Sequence, residues 1–255
     1  DLSADEIMTI LNTAKEMKAK IDNPSLRDDS LSKSSIVTLF YENSTRTKMS
    51  FMLAGDYQGA IVKDLGVATS SVSKGESLVD TGVTLDQMGI NIMIIRHQMT
   101  GAAHLLAKNV KASVVNAGDG SNEHPTQALL DLFTIMEKKG SFEGLKVVIL
   151  GDISHSRVAR SNAFGLTKLR AKVTLAGPST LVSNSMKSLG VEVETDIPKA
   201  IKDADVVMGL RIQFEEYAIP KFKRIFKFIW CKFRNFEICQ GRCSCNAPRS
   251  CKQRC

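Results

Sequence analysis

Cysteine is absent from this 255-residue chain before Cys231; all six (Cys231, Cys239, Cys243, Cys245, Cys251 and Cys255) follow the only tryptophan, Trp230. A body without thiols has neither a disulfide framework nor a thiolate metal centre, which is expected of a cytoplasmic enzyme. Long apolar runs are missing too. None approaches the ~20 residues that cross a bilayer, and the N-terminus has no basic segment followed by an apolar one. Excess charge is also missing from the body. Of 34 basic and 27 acidic side chains, ten and one lie from Ala218 onward. The preceding residues therefore hold 24 and 26, a net charge of −2, and the basic character of the whole belongs to the tail. Such a body carries no electrostatic footprint for nucleic acid or for an anionic membrane.

Periodicity gives the organisation of the rest. Ser3 and Glu6 form a capping box ahead of Ile7, Ile10, Leu11 and Ala14 at helical spacing. Apolar, β-rich runs recur at Ile36–Phe40, Ile92–Ile95, Ser113–Val115, Lys146–Leu150, Lys172–Leu175, Val191–Val193 and Asp205–Met208. Helical stretches such as Glu76–Gln87 and Thr126–Lys138 lie between most of them. Strands alternating with helices imply βαβ units and parallel sheets covered on both faces. The expected class is α/β, with two doubly wound parallel-sheet domains, residues 1–135 and 136–217, followed by a basic tail, 218–255. The segment Lys138-Lys139-Gly140 with Gly144 reads as the seam between them.

The densest chemistry lies in Phe40-Tyr41-Glu42-Asn43-Ser44-Thr45-Arg46-Thr47-Lys48. It follows a strand-like run and precedes a helical one, so its hydroxyls fall at a helix start. Unpaired N–H groups and the positive end of the helix dipole attract anions there. Arg46 adds a fork suited to phosphate, with two parallel charged hydrogen bonds of about 1.5–3 kcal/mol each. A plain N-cap with a surface arginine is the alternative, and for Ser-Thr alone it would be the better reading. A second cluster is Asn116-Ala-Gly-Asp119-Gly-Ser-Asn-Glu-His124-Pro125-Thr126-Gln127. Pro125 suits a first helical turn and places His124 and Gln127 three apart, on one face.

These segments resemble the carbamoyltransferase family, whose phosphate loop reads F-x-E-x-S-T-R-T. The resemblance continues in order through Ser73-Lys74-Gly75-Glu76, Arg96-His97, the run to Gln127, Gly151-Asp152 leading to Arg157, and Arg211-Ile212-Gln213. It spans residues 1–217 almost without a break. The R-x-Q ending is similar to the aspartate branch; ornithine as acceptor is the alternative within the family. What the resemblance implies is attack of the L-aspartate α-amine on carbamoyl phosphate, without metal or cofactor. Ser44, Thr45, Arg46 and Thr47 would hold the phosphate. Thr47, Arg96 and His124 would direct donors at the carbonyl oxygen, and Gln127 would accept from the carbamoyl NH2. Arg157 and Arg211, assisted by Gln213, would take the aspartate carboxylates. Ser70 and Lys74 would reach a neighbouring subunit's site, implying a homotrimer with shared active sites. Gly151–Arg157 lacks G-x-G-x-x-G, which argues against a nucleotide cofactor. Regulatory or multienzyme partners are left open.

The tail departs from the family. Its cysteine spacing, C-x3-C-x-C-x5-C-x3-C, lacks the C-x2-C pairs of common zinc modules. Back-translated and read one base further on, Cys239–Arg254 permits V-K-A-D-A-V-V-M-H-P-G-P-V-N-R-G, which is similar to the family's C-terminal motif ending in M-H-P-G-P-x-N-R-G. An out-of-frame tail beginning near Pro220 is therefore expected, with an incomplete second domain and impaired turnover. Two alternatives stand beside it: a truncated, non-catalytic protein that keeps the phosphate pocket, and an appended zinc- or nucleic-acid-binding module.

Overall fold

The computed structural model describes residues 2–66 and 75–210, and all structural statements below concern these. They divide into two compact units, one extending to Leu129 and the other beginning at Leu130. Their elements alternate: α1 (Ala4–Asp22), β1 (Ser35–Phe40), α2 (Thr45–Asp56), β2 (Ile61–Leu65), α3 (Leu78–Gln87), β3 (Ile92–His97), α4 (Ala102–Asn109), β4 (Ser113–Asp119) and α5 (Pro125–Lys139). There follow β5 (Lys146–Leu150), α6 (Arg157–Lys168), β6 (Lys172–Ala176), β7 (Glu192–Glu194), α7 (Ile197–Ala200) and β8 (Val206–Gly209).

In the first unit four parallel strands lie in the order β2-β1-β3-β4. The pleat sends alternate residues of β1 and β3 to opposite faces. Val37, Leu39, Met93 and Ile95 pack with Ala102, Ala103 and Leu106 of α4 on one side. Ile36, Ile94 and Ala117 form the other side, joined by the half-buried Phe40, Phe51 and Val62. Each fully buried Leu or Ile contributes about 1.5–3 kcal/mol. Along α1 the buried stripe runs through Ile7 and Leu11, with Ala14 half-buried, whereas Ile10 is exposed and lies off it. Helix α3 starts two residues later than its sequence suggests because Ser77 caps it, accepting from Asp80 N.

Strand β2 has no counterpart in the sequence reading. It is an edge strand with an exposed Ile61 and two charged residues, Lys63 and Asp64, in a five-residue run. Charges on edge strands block pairing with other chains, and they also hide the strand from a pattern search.

The second unit repeats the design, with parallel order β7-β6-β5-β8. Val148, Leu150, Ala176 and Val207 pack against Ile197, Ile201 and Ala204, while Val147 and Ile149 are fully buried on the opposite face. One polar pair sits inside this core. Asn162 of α6 is wholly buried, and its Nδ2 donates to Asp131 Oδ2 at 2.8 Å and to the Val158 carbonyl at 3.1 Å. A buried carboxylate that loses a donor has less to offset its desolvation penalty. Asn162→Ala is therefore expected to destabilise this unit by about 2–4 kcal/mol. In urea denaturation the midpoint should fall at unchanged slope.

Candidate active site

In open parallel sheets, ligands bind beyond the C-terminal strand ends where the strand order reverses. In the first unit that point lies between β1 and β3, since β2 was added on one side of β1 and β3 on the other. Phe40 and Arg96, the register partners at that edge, bring two motifs together, and Tyr41 N donates to the Arg96 carbonyl at 2.9 Å.

The turn after β1 carries Ser44 as N-cap of α2 and Thr45, Arg46 and Thr47 in its first turn. Ser44 has extended backbone, φ −155° and ψ 91°, and its hydroxyl makes no cap hydrogen bond to the helix. No acidic side chain occupies that first turn. Arg46 and Thr45 are exposed, Ser44 and Thr47 half-buried. A helix start with its hydroxyl unspent and no acid in its first turn to neutralise the positive end of the dipole is suited to an anion.

Arg96 is aimed by two neighbours distant in sequence. Its Nε pairs with Glu42 Oε2 at 2.9 Å, and its Nη1 lies 3.4 Å from His124 Nε2. His124 is buried at 7% exposure and precedes α5, its carbonyl accepting from Ala128 N. Its Nδ1 is 3.5 Å from Thr126 Oγ1. Gln127, half-buried, follows in the first turn of the same helix. The loop ahead of it is tied by Asp119, whose Oδ1 accepts from Gly101 N at 2.8 Å and whose Oδ2 accepts from Asn122 Nδ2 at 3.3 Å. Gly120 has φ +51°, and a Cβ there would lie 2.7 Å from Thr100 N, so this turn admits only glycine.

His97 lies against Tyr41 with the rings tilted by 47° and their centroids 4.5 Å apart, and its Nδ1 accepts from Met99 N. Burial holds its imidazole below the ordinary value, against the opposing pull of Glu42 and Asp119. The folded state thus binds fewer protons at this site than the unfolded chain, whose histidines titrate near pH ~6.5. Its contribution to stability is present above that value and is lost as pH falls through it and on through the lower folded value. His97→Asn should flatten the decline in melting temperature between about pH 7.5 and pH 5.

In the second unit the reversal lies between β5 and β8. Gly151 follows β5 with φ +137°, and a Cβ there would meet Leu210 Cβ at 3.0 Å, so only glycine admits this close approach of the two strand ends. Asp152 is buried and accepts from His155 N and, at 2.9 Å, contacts His155 Nδ1. Arg157, half-buried, opens α6 beyond the Ser156 cap. Ser70, Lys74, Arg211 and Gln213 lie outside the described residues, as does the tail from 218. The sequence marks Arg96 as a site residue but not its partner Glu42, although that carboxylate stands inside the Phe40–Lys48 motif. No group of three or more metal-ligating side chains occurs among the described residues. Nor is any described helix long and apolar enough to cross a membrane.

Residues 1–137 match the family model for the aspartate/ornithine carbamoyltransferase carbamoyl-P binding domain. The chain belongs to the aspartate/ornithine carbamoyltransferase family. Among its relatives is the aspartate carbamoyltransferase catalytic subunit of Acetivibrio thermocellus, 61% identical over 215 residues, which are 84% of this chain and 69% of the relative. The catalytic subunit of M. jannaschii aspartate transcarbamoylase superposes with a TM-score of 0.81 at 31% identity, over 94% of this chain and 83% of the other. Aspartate transcarbamoylase from Trypanosoma cruzi, solved in complex with carbamoyl phosphate and aspartate, gives 0.75 at 30% identity, over 84% and 74%.

Proposed function

We propose that this protein transfers the carbamoyl group of carbamoyl phosphate to the α-amine of L-aspartate, giving N-carbamoyl-L-aspartate and phosphate, a step of pyrimidine biosynthesis. The observation that carries the reading is the hydroxyl-rich, acid-free first turn of α2, placed at the strand edge that also presents Arg96. The amine attacks the carbonyl carbon, a C–N bond forms, the C–O bond to phosphate breaks, and the departing phosphate takes up the proton that the amine loses. The protein has to position two anions and stabilise charge on the carbonyl oxygen. Positioning alone can supply about 7–11 kcal/mol.

Ser44, Thr45, Arg46 and Thr47 take the phosphate in this reading, with Thr47, Arg96 and His124 around the carbonyl oxygen as an oxyanion hole. Arginine only donates, so His124 Nε2 accepts from Arg96 before substrate arrives. A carbonyl oxygen that accepts from both Arg96 and His124 would instead require the proton on Nε2, with Nδ1 accepting from the Thr126 hydroxyl. Gln127 accepts from the carbamoyl NH2. Arg157, Arg211 and Gln213 hold aspartate, and Ser70 and Lys74 come from the neighbouring subunit of a homotrimer in the cytoplasm. Residues 1–135 form the carbamoyl-phosphate-binding part and 136–217 the aspartate-binding part.

The test is product formation by the purified chain. N-carbamoyl-aspartate should appear only with both substrates, and replacing aspartate by ornithine should abolish turnover. Turnover with ornithine alone would move the chain to the other branch.

A further inference from the structure

Lys48 closes the first turn of α2, its N–H donating to the Ser44 carbonyl at 3.2 Å. Its ammonium reaches Asp64 Oδ2 on β2 at 2.5 Å. The other oxygen of Asp64 accepts at 2.6 Å from the hydroxyl of Thr38, which is wholly buried in the middle of β1. Thr38 and Asp64 are also register partners, so the carboxylate is braced by strand pairing and by a hydroxyl that cannot move into solvent. Lys48 and Asp64 are each about a third exposed, at 29% of their side-chain surface.

A cation in the first turn opposes the helix dipole, and here Arg46 stands beside it with no acid in the turn. Asp64, from a different element, supplies the missing countercharge. The result is a continuous link from the centre of the sheet, through an edge strand, to the backbone turn that offers its N–H groups.

We infer that Asp64 is a positioning residue for the anion-binding turn: braced by Thr38, it grips Lys48 and holds the first turn of α2 in place. The inference rests on the reading of that turn as the carbamoyl-phosphate site. The link sets where the donors of Ser44–Thr47 stand, and displacement of about 1 Å in such donors costs roughly 100-fold in rate. A partial release of the turn should cost less.

The full 255-residue chain is titrated calorimetrically with carbamoyl phosphate, in parent form and as Asp64→Asn, Lys48→Met and the double variant. Each single change should weaken binding by about tenfold, and the double should be no weaker than either, because each already breaks the link. Lys48→Arg keeps the pair and should bind within about twofold of the parent, and Thr38→Val should weaken binding by a smaller factor than Asp64→Asn. Opposite shifts for the two single variants, tighter for Asp64→Asn and weaker for Lys48→Met, would mean plain charge effects and overturn the inference. So would unchanged affinity with a lowered melting temperature, the result for an edge-strand brace alone. Absence of binding by the parent chain would overturn the reading of the pocket, and the inference with it.

Discussion

Replacing Arg46 with alanine is expected to lower turnover by about 10²–10⁴-fold while leaving the melting temperature nearly unchanged. The guanidinium can make two parallel charged hydrogen bonds to phosphate, each about 1.5–3 kcal/mol, so about 3–6 kcal/mol is at stake. At ~1.4 kcal/mol per factor of ten, this gives the stated range. The phosphate gains charge as its bond to carbon breaks, so part of the loss falls on kcat and not only on KM. Arg46 is exposed. Truncating an exposed side chain outside the core changes stability by no more than about 0.5 kcal/mol. Arg46→Lys should recover only part of the loss, because an ammonium cannot reproduce the planar fork. Steady-state kinetics and a thermal melt decide it, and a fall in melting temperature matching the lost activity would make Arg46 structural.

A gain is the second large effect. Deleting one base from the codons around Pro220, so that the tail reads in the alternative frame, should raise turnover by about 100-fold or more relative to the 255-residue chain. The alternative frame permits M-H-P-G-P-V-N-R-G where this chain has Met-free, cysteine-rich sequence up to Arg254. In the family this resembles, the His-Pro-Gly-Pro loop helps to close over both substrates. A chain lacking that loop is expected to admit water to the reaction and to hold its second substrate less firmly. Equal turnover by the two chains would show that the out-of-frame reading carries no functional weight. Stoichiometric zinc kept by the 255-residue chain and lost on removal of 221–255 would favour the appended module instead.

The fold was legible wherever strands are buried on both faces. β1, β3, β5 and β6 announce themselves as apolar runs because a central strand of a parallel sheet must be apolar on both sides. β2 was silent because an edge strand answers to solvent as much as to the core, and its Lys63-Asp64 pair reads as a loop. Helix α5 was legible because Pro125 marks a first turn and the pattern behind it is periodic.

The candidate site divides along the same physical line. Ser44–Thr47 and His124–Gln127 are local arrangements, determined by a few consecutive residues and by where a helix begins, so the sequence by itself determined them. The ion pair of Arg96 with Glu42, its approach to His124, and the Thr38–Asp64–Lys48 link join residues 54, 28, 26 and 16 positions apart. Contacts of that kind depend on strand order and register. Only the tertiary structure, in which β1 lies between β2 and β3, decided which charges meet at the strand edge and which cation was held one turn away from it.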